Sequence, residues 1–207
     1  MVQITKEAGY EAGKYAKLDR FASYAYQVQT LLSTSPSTIL EIGVGDGVVS
    51  SYFARHSSIS YKTADFAADL SPDIVADVRA LPLDDNSFDT VCAFQVSEHL
   101  PFEDFEKAVS ELTRVAKKYI IISLPHFNHP LKFSLKIPLF PEIKICVRLP
   151  HPKEHIFDGQ HYWEIGKRRF PTRRIRAVFE KYAVVEQEYV PFENPSHHFF
   201  ILKKRTP

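Results

Sequence analysis

The chain has 207 residues, 44% hydrophobic and 25% charged, with 26 Lys+Arg against 25 Asp+Glu and a formal net charge of +1. That balance excludes a disordered chain and gives no electrostatic case for nucleic acid or an anionic membrane as main partner. The length suits one domain with a substantial core.

In chain order, apolar residues at Leu18, Phe21, Ala22, Ala25, Val28, Leu31 and Leu32 predict an amphipathic helix over residues 10–32, broken by "STSPS" with Pro36. "TILEIG" reads as a short β-branched strand, and "DGVVSSYFARH" returns to helical spacing. "SYKTAD", "DIVADV" and "SFDTVCAFQV" read as three further strands. A helix follows in "PFEDFEKAVSELTRVAKK", with Phe102, Phe105, Ala108, Val109, Leu112 and Val115 on one stripe. "YIIISLP" is a continuous apolar run of the kind expected in a sheet covered on both faces. Strands alternating with helices predict an α/β fold with a mostly parallel sheet.

After Pro125 the pattern changes. Residues 126–170 hold five prolines and no sustained periodicity, which predicts a long insertion serving as a lid or binding loop. "PTRRIRAVFEKY" predicts a last helix, and "AVVEQEYV" with "HHFFILKK" a closing antiparallel pair. The expected organisation is therefore one domain, with a helical cap over 1–36, a ligand-binding core over 37–125, the insertion, and a C-terminal helix and strand pair over 171–207.

Two cysteines, Cys92 and Cys146, form neither a disulfide framework nor a Cys-x-x-Cys pair, and Cys92 reads as a core residue. The first residues, "MVQITKEAGYEAGKYAK", have no continuous apolar core, and no apolar run is long enough to cross a bilayer. The expectation is a cytoplasmic protein with no membrane partner. The oligomeric state stays open.

Chemistry concentrates in "TILEIGVGDGVVSSYF". Three of the seven glycines in the chain, Gly43, Gly45 and Gly47, stand at alternate positions where the first strand turns into a helix. Glycines there allow a tight turn and close approach of a ligand to the main chain. The spacing differs from Gly-x-Gly-x-x-Gly, and no Gly-Lys-Ser/Thr follows, so a phosphate grip is disfavoured. Glu41, two residues before Gly43, would repel a pyrophosphate and favour a cation. Asp65, after the second strand, holds the position from which a carboxylate accepts from ribose hydroxyls. Asp77, with the main chain of Val78, is placed to meet an adenine amine and ring nitrogen. A cationic ligand carrying ribose and adenine, without phosphate, describes S-adenosylmethionine.

"ILEIGVGDG", "DFAADLSPDIVADVRALPLDDNSFDTV" and "FQVSEHLPFEDFEKAVSELTRVAKKYIIISLP" together resemble the class I S-adenosylmethionine-dependent methyltransferases, in their methyltransferase-11-type branch, over about residues 37–125. The resemblance implies a three-layer Rossmann-like fold whose seven-stranded, mostly parallel sheet has its last strand antiparallel. It implies that Glu41, Gly43, Gly45 and Gly47 form the cofactor loop. Asp65 would hold the ribose, Asp77 and Val78 the adenine, and Phe94 and Gln95 would flank the methionine end. "ADFAADL" departs from the family pattern by offering Asp69 beside Asp65.

For the chemistry, His99 in "SEHLP" and His126 or His129 after the fifth strand are candidate bases, although methyl transfer needs alignment before it needs a base. His151, His155 and His161 have spacings of four and six and no cysteine, which argues against a metal site. A lid with Tyr162 and Trp163 as walls of an acceptor pocket is the favoured role of that segment, and a packed connector the alternative. The basic run "GKRRFPTRRIR" raises an RNA reading, but its apolar stripe leaves the arginines on a solvated face. Neither the Asn/Asp-Pro-Pro-aromatic tetrapeptide of exocyclic-amine methylation nor the Pro-Cys element of cytosine C5 enzymes is present. The expected function is methyl transfer from S-adenosylmethionine to a small-molecule acceptor, with a non-catalytic S-adenosylmethionine sensor or scaffold, or an RNA methyltransferase, as alternatives. No metal is expected.

Overall fold

The computed structural model describes residues 16–127, 130–149 and 153–205. Within these, the elements are α1 (Leu18–Ser33), β1 (Thr38–Ile42), α2 (Val48–His56), β2 (Ser60–Asp65), β3 (Ile74–Val75), β4 (Phe88–Phe94), α3 (Phe102–Val115), β5 (Ala116–Pro125), β6 (Pro130–Leu135), β7 (Ile143–Arg148), α4 (Thr172–Tyr182), β8 (Ala183–Tyr189) and β9 (His197–Lys204). Seven strands form one sheet in the order β3-β2-β1-β4-β5-β9-β8, with β9 antiparallel to both neighbours. The order reverses between β1 and β4, so their carboxyl ends diverge and leave a crevice of the kind in which α/β folds bind ligands.

Both faces of the sheet are covered, which explains the uninterrupted apolar runs of β4 and β5. Ile120, Ile122 and Leu124 of β5 pack with Leu112, Ile175 and Phe179 of α3 and α4. Ile121 packs on the other face with Leu31, Val49 and Phe53 of α1 and α2. Cys92 is a buried member of this second cluster. The expected third strand shrinks to two residues: Asp73 accepts hydrogen bonds from the Thr63 backbone N–H and hydroxyl at one end, and at the other the chain turns at Asp77, which pairs with Ala80.

Helix α1 corrects the sequence reading. Its expected stripe is largely outside, with Leu18 92% and Phe21 55% exposed, while Ser23, Gln27 and Thr30 are buried beside Leu31. The reason is the surface it covers. Ser23 Oγ lies 2.6 Å from His197 Nδ1, Tyr26 donates to Glu193, and Thr30 Oγ1 lies 2.5 Å from the Tyr189 hydroxyl. The helix caps the polar carboxyl edge of the sheet, so its inward face is polar. Residues 10–15 of the expected helix lie outside the described segments.

The insertion is more regular than the sequence suggested. Strands β6 and β7 form an antiparallel hairpin of their own, pairing Leu131 with Val147, Phe133 with Ile145 and Leu135 with Ile143 on one exposed face. Its other face is tethered, with Lys144 bonded to Glu193 and Arg148 donating to the Pro195 carbonyl. Period-two alternation was present in "LKFSLKI", but the flanking prolines masked it.

The rest of the insertion is anchored by Trp163, which is fully buried and donates from Nε1 to the Leu100 carbonyl at 3.1 Å. Phe102, Phe105 and Phe170 surround it, with ring centroids 4.9–6.0 Å away. Replacing Trp163 with alanine removes this anchor, and urea unfolding should show a loss of roughly 3–5 kcal/mol, the usual cost of deleting a large buried aromatic.

Candidate functional site

At the carboxyl edge, between β1 and β4, lies a cavity of about 430 Å³. Glu41, Gly43 and Gly45 line it from β1 and its loop, Phe94 and Gln95 from the end of β4, and Glu98 and His99 from the short 3-10 turn after β4. Arg20, Tyr24 and Gln27 of α1 face it, as do Gln160, His161 and Glu164 of the insertion, His126, and His197 of β9. A site of this size suits a small molecule.

The loop geometry explains the first glycine. Gly43 has φ +86°, and a Cβ there would sit 2.4 Å from Val96 Cγ2, so any side chain would push the loop off the β4 turn. Its N–H donates to the Ala64 carbonyl at 2.8 Å, which prolongs the β1–β2 ladder by one bond. Gly47, also left-handed, occupies the N-cap of α2. Gln95 follows β4 with φ +56°, an unusual conformation for a residue with a side chain, and bonds Ser123 through both its N–H and its amide. Backbone strain of this kind costs about 1–3 kcal/mol and concentrates at functional sites.

Glu41 is 4% exposed, and its Oε2 has no hydrogen-bond partner. It shares a face of β1 with Ile39 and sits between Thr63 and Cys92 in the adjoining strands. Burial, opposed by the Tyr61 hydroxyl and helped by Asp46 and Asp65, pushes its pKa up to about 8.

The remaining expected cofactor residues fall elsewhere. Asp65 does not line the cavity. Its two carboxylate oxygens accept from the N–H groups of Val44 and Ala67, both at 2.8 Å, so it braces the glycine loop from behind. Asp77 is chelated by Arg79, which also reaches Asp104, and that guanidinium holds its carboxyl below the usual range. Val78 is buried in the core, 3% exposed.

Both candidate bases within the described segments line the cavity. His99 Nδ1 lies 3.1 Å from the Gln160 carbonyl, and burial lowers its pKa to about 4. His126 stacks on His198 with their Nδ1 atoms 2.9 Å apart, while His198 Nε2 is 2.9 Å from Glu188. Burial and the Arg148 guanidinium lower the His126 pKa to about 4, so its ring stays neutral. His129 and His151 lie outside the described residues.

Tyr162 and Trp163 do not form walls of the cavity. Trp163 is in the core, and Tyr162 rests against Phe157. Their neighbours Gln160, His161 and Glu164 supply the walls, a role that sequence spacing did not reveal because it depends on the Trp163 anchor. Several members of the basic run make contacts within the chain: Lys167 lies over the Phe127 ring, Arg174 over Phe102, Arg168 against Glu154 and Arg176 against Glu180 and Glu188.

The raised pKa of Glu41 has a definite sign. The folded chain holds a proton there that the unfolded chain releases, so this contribution to stability is complete below the ordinary carboxylate range and is lost as pH rises through about 8. Glu41→Gln has no proton to lose. Melting followed from about pH 6 to about pH 9 without ligand should therefore fall less in the variant than in the parent chain.

Residues 40–122 match the family model described as a methyltransferase domain. No curated protein sequence matches the chain. Among solved structures, the 1,6-didemethyltoxoflavin-N1-methyltransferase of Burkholderia thailandensis, with bound 1,6-didemethyltoxoflavin and S-adenosylhomocysteine, aligns at TM-score 0.62 and 11% identity over 94% of this chain and 80% of that one. Magnesium protoporphyrin IX methyltransferase from Synechocystis PCC 6803, with bound S-adenosylhomocysteine, aligns at 0.61 and 13% identity over 98% and 89%. A protein from Pyrococcus horikoshii OT3 aligns at 0.59 and 12% identity over 95% and 100%. These likenesses concern the fold, and the sheet order and antiparallel β9 agree with it. The family match thus covers the core of the chain, residues 40–122, and the likeness over its whole length is one of fold.

Proposed function

We propose that the protein transfers a methyl group from S-adenosylmethionine to a small-molecule acceptor held in the cavity between β1 and β4. The observation that carries this reading is Glu41, a buried carboxylate with an orphaned oxygen facing a cavity beside a glycine turn that tolerates no Cβ. An orphaned buried carboxylate is costly alone and favourable opposite a cation. The residues present therefore fit the cofactor: Glu41 would accept from its cationic end, Gly43 and Gly45 would admit it to the main chain, and Phe94 and Gln95 would flank its methionine portion. Asp65 would then act at the ribose from the loop it braces, and Asp77 and Val78 would border the adenine. When bound, S-adenosylmethionine supplies a sulfonium methyl for in-line displacement.

The chain's own contribution is alignment, which alone lowers such barriers by roughly 7–11 kcal/mol. In this reading the 126–170 insertion is the lid, bringing Gln160, His161 and Glu164 over the acceptor end. His126, on the cavity wall, would be the group that takes up an acceptor proton. A cavity of about 430 Å³ favours a small acceptor over RNA.

Calorimetry with S-adenosylhomocysteine tests the cofactor half of the proposal. The parent chain should bind, and Glu41→Gln should bind about 10- to 100-fold more weakly, as expected for loss of a hydrogen bond to a charged group. Absence of binding by the parent chain at high micromolar ligand would remove the proposal. Binding without methyl transfer to any member of a broad acceptor panel would favour a sensor.

A further inference from the structure

Glu98 is the most isolated carboxylate described. It is fully buried, and neither of its oxygens has a hydrogen-bond partner, yet it lines the cavity. A lone carboxylate in that position is stabilised only by a proton or a cation. Two imidazoles stand beside it. The ligand atoms of Glu98, His99 and His161 all lie within 4.8 Å of one another, and all three residues line the same cavity.

Hydrogen bonding fixes the imidazoles in a metal-ready form. A carbonyl only accepts, so His99 Nδ1, 3.1 Å from the Gln160 oxygen, carries the proton and Nε2 keeps its lone pair. His161 Nδ1 lies 3.0 Å from Glu164 Oε1, which likewise leaves Nε2 as the donor nitrogen. A histidine bonded through its other ring nitrogen to a carbonyl or carboxylate is the usual partner of a bound metal. Asp158 already accepts from the N–H groups of Gln160 and His161, so it shapes the turn that carries His161.

The cluster is also assembled in advance. Glu98 and His99 belong to the 3-10 turn after β4, and His161 to the insertion. The Tyr162 N–H donates to the Glu98 carbonyl at 2.8 Å, and Trp163 bonds Leu100 from within the core. Those contacts hold the two segments in register without any ion.

From this geometry we infer that Glu98, His99 and His161 bind a divalent first-row transition metal at the acceptor end of the cavity. Two imidazoles and one carboxylate match zinc, iron, cobalt, nickel or manganese rather than magnesium or calcium, which take oxygen donors. Three protein ligands leave coordination positions open toward the cavity. Resting on the methyltransferase reading, those positions take an oxygen of the acceptor, which makes the acceptor class a hydroxylated small molecule able to ligate a metal.

The test uses chelator-treated full-length protein titrated with Co2+, followed by its visible absorption, with Zn2+ as competitor. One Co2+ should bind per chain and be displaced by Zn2+. Glu164→Gln should weaken binding roughly 10- to 100-fold, the cost of losing a partner that orients a ligand, and Glu98→Gln and His161→Ala should weaken it further. Glu98→Gln removes a buried carboxylate, so its melting temperature should not fall, which separates a lost ligand from a lost fold. No stoichiometric Co2+ binding, or binding unchanged in both Glu98→Gln and His161→Ala, overturns the inference. Catechol added to the Co2+ form should shift its spectrum, and an unchanged spectrum overturns the acceptor class alone. S-adenosylhomocysteine binding without Co2+ binding overturns the metal site and leaves the methyltransferase reading standing; Co2+ binding without S-adenosylhomocysteine binding does the reverse.

Discussion

Two carboxylates, Glu41 and Glu98, are buried at the carboxyl edge of the sheet, the first with one oxygen and the second with both lacking a hydrogen-bond partner. Burying such a group costs free energy unless a proton or a cation meets it. The fold nevertheless builds both positions with care. Glu41 is locked in register between Thr63 and Cys92, and Glu98 is pinned by the Tyr162 N–H on its own carbonyl. Both face one cavity, opened where the strand order reverses. Positively charged partners would offset the cost, and on that constraint the functional account rests.

The surroundings follow from it. The cavity and the polar edge beside it need polar neighbours, so α1 turns Gln27 to the cavity and Ser23 and Thr30 to His197 and Tyr189, and leaves Leu18 and Phe21 in solvent. Asp65 braces the glycine loop through Val44, and strain at Gln95 is held by two bonds to Ser123. The insertion supplies the far wall by fixing Trp163 in the aromatic cluster of α3, which carries His161 and Glu164 to the cavity. Packing in one layer thus sets chemistry in another.

The parallel core was legible because its signals are local. The β-branched run before Gly43, the stripe from Phe102 to Val115 and the apolar run of β5 each announce one element. Glu41 and the glycines were legible for the same reason, since turn chemistry and charge sit within seven residues. What escaped depends on tertiary contact. The inward face of α1 cannot be known before its partner surface is known, and the β6–β7 alternation was masked by proline. The pairing of Glu98 and His99 with His161 joins residues about sixty positions apart, and the spacing of the later histidines among themselves pointed away from it. Asp77 showed the opposite limit, because its sequence context did not disclose that Arg79 would occupy its carboxylate.

A crystal structure of the protein grown with S-adenosylhomocysteine tests the central claim most directly. The account places the ligand's ammonium group within hydrogen-bond distance of Glu41, with its chain against Gly43 and Gly45. A ligand bound away from the β1–β4 crevice, or a Glu41 carboxylate still without a partner in the complex, would contradict it.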